Sequence, residues 1–307
     1  MTSAVATPGT PAAPAVPTAR PGRRRPRVST GRVTVNVVMV AMILYFLMPF
    51  WWLAVASTKN TDALFSTAAL WFHSPGSFFD NLRQLFTYND GEYLRWLGNT
   101  AVYAGVSGVG ATAVATLAGY AFAKYRFPGR NLLFSTLLGA IMVPATALAI
   151  PTYLLLSKVA LTDTMWAVIL PSLLNPFGVY LVRVYVQESL PDELLEAARV
   201  DGAGEMRVLF SVALPTLRPA LVTVLLFSVV GTWNNFFLPL VMLNNDKLFP
   251  LTVGLQSWYA GAMVQSGANV LFTLVVVGSL VAILPLIATF LLLQRYWRGG
   301  LTVGSLK

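Results

Sequence analysis

The residues of this chain that could act chemically on a small molecule are few, and their pattern excludes most reactions. Among 307 residues there is no cysteine and one histidine, His73. A thiol nucleophile, a disulfide framework and a Cys-based metal site are therefore excluded, and a lone imidazole lacks the convergent partners a metal ion needs. None of the five lysines precedes Ser or Thr, whereas a phosphate-binding P-loop ends in Lys followed by Ser or Thr. The chain has no conventional nucleotide-hydrolysing loop of its own, and no Ser-His-Asp set or carboxylate pair within an apolar stretch stands in for one.

Polar chemistry instead gathers in two places. The segment Ser189-Leu-Pro-Asp-Glu-Leu-Leu-Glu-Ala-Ala-Arg-Val-Asp-Gly202 carries the signals of a short helix. Ser189 is placed to cap with Asp192 three residues on, Pro191 suits a first turn, and Gly202 suits the stop. Acidic residues in its first turn complement the helix dipole. Leu194, Leu195 and Ala198 are expected to share a face. A dozen residues make a marginal helix in water, so this one needs a surface to pack on, either the rest of its loop or another protein. The second place is Asn175 with Trp233-Asn234-Asn235. An amide supplies donors and an acceptor, and an indole supplies a flat apolar face. Together they suit a polyhydroxylated ligand, and they suit hydrogen bonding between packed helices equally well.

The elements that must position these groups are apolar. Composition is 56% hydrophobic and 11% charged, against roughly a quarter charged in an ordinary soluble domain. Stretches long enough for a hydrocarbon core of about 30 Å run over 33–56, 100–123, 132–156, 165–186, 220–243 and 270–293. Pro49, Pro144, Pro151, Pro171, Pro176, Pro239 and Pro285 interrupt five of the six; membrane helices tolerate such breaks when neighbours satisfy the freed carbonyls. No Asp, Glu, Lys or His lies within them, and Arg183 sits near one end. Proton-coupled carriers mark their route with such groups, so the pattern favours an uncharged cargo moved without proton coupling.

Basic residues set the expected orientation. With both termini cytoplasmic, 16 cations fall inside and five outside (Lys59, Arg83, Arg95, Lys158 and Lys247), as the positive-inside rule requires. That distribution accounts for the net charge of +9 without nucleic acid. Residues 1–32 are basic and proline-rich, the composition of a disordered tail. The apolar run after them is longer than a signal peptide's, so it is expected to stay as the first span.

Several spaced fragments resemble one family. Glu196-Ala197-Ala198, then Gly202, then Val212-Ala213-Leu214-Pro215 resemble the EAA loop of ABC-importer permeases. The string from Glu196 through Asp201, Gly202 and Ala203 is similar to the carbohydrate-uptake, MalG-like branch. So are Gly119-Tyr-Ala-Phe-Ala-Lys-Tyr-Arg-Phe-Pro-Gly-Arg130, Gly231-Thr-Trp-Asn-Asn-Phe-Phe-Leu-Pro239 and Leu293-Gln-Arg-Tyr-Trp-Arg-Gly-Gly-Leu301.

The resemblance implies an all-α membrane protein with six transmembrane helices, of the type I ABC-importer permease fold, in a prokaryotic cell membrane. It implies a permease domain over 33–298, a coupling loop over 187–218 and a cytoplasmic tail over 299–307. On this reading Glu196, Ala197, Ala198, Asp201, Gly202, Ala203, Leu214 and Pro215 engage an ATPase, with Asp201 free to cap the following turn. Asn175, Trp233, Asn234 and Asn235 are the candidates for lining the substrate pathway by their side-chain chemistry, with helix packing as the alternative role and the partner permease as another place for the family's substrate contacts. The implied partners are a second, related permease, two nucleotide-binding ATPases that use ATP and Mg2+, and an external solute-binding protein facing the loop 244–269. The chain itself would bind no cofactor and catalyse no reaction. A permease for a non-sugar solute, or a secondary transporter, are the competing expectations.

Overall fold

The structure, a computed structural model, describes residues 30–74, 76–264 and 269–297. The expected tails lie outside them, apart from residues 30–32. The regular elements among the described residues are all helical: α1 (Thr30–Ala56), α2 (Thr61–Ser66), α3 (Ser77–Thr87), α4 (Glu92–Lys124), α5 (Arg130–Ile141), α6 (Ala149–Lys158), α7 (Met165–Ser172), α8 (Pro176–Ser189), α9 (Asp192–Val200), α10 (Glu205–Val208), α11 (Leu214–Trp233), α12 (Phe237–Met242), α13 (Leu251–Val264) and α14 (Asn269–Trp297). Residues through Met48 and residues from Pro49 onward form two compact units, with α1 running through the division. The first unit contributes the leading, apolar part of α1.

In the second unit α4 is the central helix, packed by α11, α8, α7 and α13. Its 33 residues span about 50 Å at 1.5 Å per residue. Small residues recur along it at helical spacing, including Ala104, Gly108, Ala111, Ala115 and Gly119. A Cβ on Gly108 would meet the Val229 side chain at 2.5 Å, and one on Gly119 would meet Val182 at 2.7 Å and the Val179 carbonyl at 2.9 Å. In lipid there is little hydrophobic drive between helices, so close approach over small residues supplies the packing.

Among the described residues five helical stretches are long and apolar enough to cross a membrane: 34–56, 77–124, 165–189, 205–233 and 270–296. They account for five of the expected spans, and the departures occur where the sequence has proline or asparagine. The third expected span, 132–156, is two short helices, α5 and α6, joined by a turn around Pro144. The fourth breaks at Leu173–Asn175 into α7 and α8. The fifth stops at Trp233, and α12 resumes after Asn234–Phe236. The second extends back to Glu92, past the expected start at Thr100.

Candidate functional site

The segment 187–218 sits at the Lys124 end of α4, and its layout corrects two expectations. Ser189 is the last residue of α8, not the cap of the next helix. Leu190 and Pro191 intervene, and α9 begins at Asp192 with no side-chain cap. Asp201 is the C-terminal cap residue of α9, and α10 is preceded by Gly204, so Asp201 does not cap the following turn.

The end of α9 is built on Gly202. Its φ of +80° is a left-handed conformation that a side chain at Cβ disfavours by about 1–2 kcal/mol. There the Gly202 N–H donates to Arg199 O and the Ala203 N–H donates to Ala198 O, each at 3.0 Å. This pair of bonds closes the last carbonyls of a helix around a glycine. Among the described residues no atom beyond its chain neighbours lies within 4 Å of a Cβ at Gly202, so its requirement within the chain is conformational rather than steric.

Leu195 is buried, and Ala198, Ala203 and Leu214 pack on the same core cluster with Val186, Leu209 and Leu217. Leu194 was expected on that face but is 44% exposed, as is Val200 at 87%. Glu196, Ala197, Asp201, Gly202 and Pro215 are exposed too. The expected contact residues thus divide. Ala198, Ala203 and Leu214 hold the segment to its own chain. Glu196, Ala197, Asp201, Gly202 and Pro215 face outward, and neither the Glu196 nor the Asp201 carboxylate has a hydrogen-bond partner among the described residues.

Residues that sequence reasoning left unassigned fasten this segment to α4. Lys124 Nζ donates to the Leu190 carbonyl at the end of α8 and to Asp192 Oδ1 at the start of α9. Tyr125 Oη donates to Glu205 Oε2 at 2.7 Å, and Arg199 Nε donates to Glu205 Oε1 at 2.8 Å. Lys124–Asp192 and Arg199–Glu205 are the two ion pairs found among the described residues. Lys124 beside Asp192 holds that carboxyl below its ordinary value. The Glu205 carboxylate, by accepting from Tyr125, pushes that phenol up to about 12. Lys124 and Tyr125 lie inside the Gly119–Arg130 fragment that carried part of the resemblance. Opposite charges at 124 and 192 were the available signal.

The candidate pathway residues sit at the helix breaks. Asn175 Oδ1 accepts from the Gly178 N–H at 2.8 Å, and its Nδ2 donates to Ser228 Oγ at 2.9 Å. With Pro176 at the first helical position, it starts α8 and ties it to α11. Asn235 Oδ1 accepts from the Leu238 N–H at 3.3 Å, where α12 begins. Asn234 is exposed and donates to the Val230 carbonyl of its own helix at 2.9 Å. Trp233 is 8% exposed, within the cluster formed by Tyr93, Trp96 and Trp258. The structure therefore brings Trp233, Asn234 and Asn235 together at one break and leaves Asn175 at another.

Long apolar helices, asparagine-capped breaks within them and a loop helix uncovered at one end define a multi-pass, all-helical membrane protein. The chain belongs to the family described as binding-protein-dependent transport system inner membrane component, whose model matches residues 111–298. It is similar to the arabinooligosaccharides transport system permease protein AraQ of Halalkalibacterium halodurans, 34% identical over 90% of this chain and 95% of that protein. It is also similar to the sn-glycerol-3-phosphate transport system permease protein UgpE of Pectobacterium atrosepticum, 29% identical over 87% of this chain and 94% of that one. Its fold matches a chain of a bacterial ABC transporter that imports the acidic polysaccharide alginate. There the TM-score is 0.75 at 24% identity, covering 89% of this chain and all of that chain. The role of the family is transport through the membrane.

Proposed function

We propose that this chain forms part of the path for an uncharged saccharide in an ATP-driven importer, and that partner ATPases move it through α9. One observation carries the coupling part. The α9 segment presents Glu196, Ala197, Asp201 and Gly202 outward while Lys124 and Tyr125 fasten its other side to the longest helix of the second unit. A force applied at α9 reaches α4 through those ties.

On this reading the termini and the α9 end are cytoplasmic. A second permease completes the pathway, a solute-binding protein delivers cargo at the opposite end, and ATP and Mg2+ act on the ATPase subunits, with no cofactor on this chain. Residues 33–298 form the permease domain, with tails at either side. Nucleotide binding favours one of two states of the assembly, and the coupling free energy between the two sites drives alternation. Asn234 and Asn235, beside Trp233, line the path at the α11–α12 break, and Asn175 supports it from the α7–α8 break.

The saccharide assignment is supported by spans free of Asp, Glu, Lys and His and by the arabinooligosaccharide relative. The glycerol-phosphate relative favours an anionic cargo as the second reading. Arg183 is the one cation within the expected spans, and its guanidinium lies 3.6 Å over the Phe134 ring, engaged in packing.

The test is reconstitution of the complete complex. Glu196→Lys and Gly202→Val are expected to reduce uptake at least tenfold, with membrane insertion unchanged. Uptake and substrate-stimulated ATP hydrolysis at wild-type levels in both would remove the coupling role.

A further inference from the structure

At the end of α4 away from α9, α13 lies antiparallel against α14. Tyr259 meets Phe272, Gly261 meets Leu271, and Leu255 meets Gly278. Between this pair and the α11–α12 break lies a groove of about 470 Å3, lined by Phe236, Thr252, Gln256, Tyr259 and Ser279 together with apolar side chains. Its size falls within the range of small-molecule sites, about 300–1,000 Å3. None of the described residues in its lining is charged.

Depth gives the groove its meaning. Ser279 lies ten residues into the 29-residue α14, about 15 Å from its start at 1.5 Å per residue. Thr252 Oγ1 donates to the Asn235 carbonyl at 2.8 Å, and Ser279 Oγ donates to the Val275 carbonyl at 2.7 Å, so both oxygens keep lone pairs for an acceptor role. The Gln256 amide and the Tyr259 hydroxyl have no partner among the described residues, and both side chains are exposed. Leu255 beside Gln256 meets Gly278, so the Gln256 amide lies near the depth of Ser279, where an unsatisfied polar group costs several kcal/mol and calls for a polar occupant. Tyr259, against Phe272, lies at the mouth of the groove, about 4.5 Å along α14. The Tyr259 ring is steadied edge-on by Phe272, with centroids 6.2 Å apart, and Phe236 adds a second aromatic surface.

We propose that this groove is a saccharide subsite carried by this chain, with Gln256 hydrogen-bonding sugar hydroxyls and Tyr259 and Phe236 offering faces to the ring's C–H side. A neutral sugar matches each feature. Its hydroxyls donate to Thr252 and Ser279 and exchange both kinds of bond with the amide, and it brings no charge into an uncharged lining. The assignment rests on the saccharide reading above and names where that cargo is held.

The experiment uses the complete complex with its solute-binding protein in lipid vesicles. Wild-type uptake is first measured with arabinotriose, maltotriose, lactose and glycerol 3-phosphate. If only glycerol 3-phosphate enters, or none does, the saccharide reading fails and the subsite falls with it. If a neutral sugar enters, Gln256→Leu and Tyr259→Leu are each expected to lower its uptake at subsaturating concentration tenfold or more, with the subunits still co-purifying at wild-type yield. Tyr259→Trp, which keeps an aromatic face, is expected to recover to within about threefold of wild type. Wild-type uptake in both leucine variants overturns the subsite while leaving the saccharide reading intact. Loss of the second permease from the purified Gln256→Leu complex overturns it too, because the amide then belongs to a subunit interface.

Discussion

The two ends of α4 are fastened in opposite ways. At the Glu92 end the fastening is mostly side chain to backbone from buried residues, with one buried carboxylate contact, Trp258 Nε1 donating to Glu92 Oε2 at 3.2 Å. Tyr93 Oη donates to Gly278 O at 2.7 Å, Asn99 Nδ2 donates to the carbonyls of Lys247 and Phe249, and Tyr103 Oη donates to Leu248 O at 2.8 Å. Thr100 Oγ1 accepts from the Leu251 N–H. At the Lys124 end two carboxylates in water take part, with the Asp192 side chain 75% exposed and Glu205 50% exposed, while the Lys124 side chain, 9% exposed, also donates to the Leu190 carbonyl. Exposed ion pairs contribute little to stability because water and salt compete for both partners, whereas a buried carbonyl that loses its donor has no substitute. The contrast separates two jobs. One end makes α4, the 244–250 connection and α13 into a single piece. The other attaches that piece to α9 by contacts that can shear and re-form during a cycle.

The most damaging way to test this division is to attack the helix that both ends share. Gly119→Leu places side-chain atoms against Val182 and the Val179 carbonyl, and overpacking of this kind costs about 1–3 kcal/mol. Loss of the monodisperse detergent-solubilised protein is expected. A well-folded variant with normal uptake would show that α4 and α8 do not move as one body.

Next in size is Asn99→Ala, which strips two carbonyls of their donor at the stitched end. Destabilisation of about 2 kcal/mol is expected, read as a lowered thermal midpoint, with a similar fractional loss of uptake and of ATP hydrolysis. Asp192→Ala and Tyr125→Phe, which remove only contacts to exposed carboxylates and leave Lys124 on the Leu190 carbonyl, sharpen the contrast from the other side. Their thermal midpoints are expected to stay near wild type while sugar imported per ATP hydrolysed falls severalfold. If the midpoint drops and the ratio holds, the ion-pair end is a structural staple and the division of labour is wrong.

The spans were legible because an uncharged apolar run of about 20 residues matches the thickness of a bilayer and suits little else. Their interruptions were concealed. Pro144, Asn175 and Asn234 mark the breaks, but a proline or an amide within an apolar run is compatible with a kink as well as a stop, and tertiary contacts choose. Asn175 became a helix start because Gly178 and Ser228 are there to meet its amide. Gly202 was legible as a stop, since a left-handed cap demands glycine whatever surrounds it. The Lys124–Asp192 and Tyr125–Glu205 ties were not. They join residues 68 and 80 positions apart, and nothing local announces them. The groove beside Gln256 was equally hidden, because it exists only once α13 folds back along α14.

The smallest expected effect concerns protons, and its sign follows from the same ties. The Asp192 carboxyl is held below its ordinary value by Lys124. Its contribution is therefore present above the unfolded value near pH 3.9 and is lost only as pH falls through the lower folded value. The Tyr125 phenol is raised to about 12. Its contribution is complete below the unfolded value of about 10 and is lost as pH rises through 12. Neither group titrates between pH 5 and 9, so the attachment at the α9 end is constant across that window. The uptake ratio of wild type to Asp192→Asn is accordingly expected to stay flat from pH 5 to 9, whatever its absolute size. A ratio that drifted more than about twofold would mean that another proton site governs the attachment, and α9 would then be held by something other than the Lys124 and Tyr125 contacts.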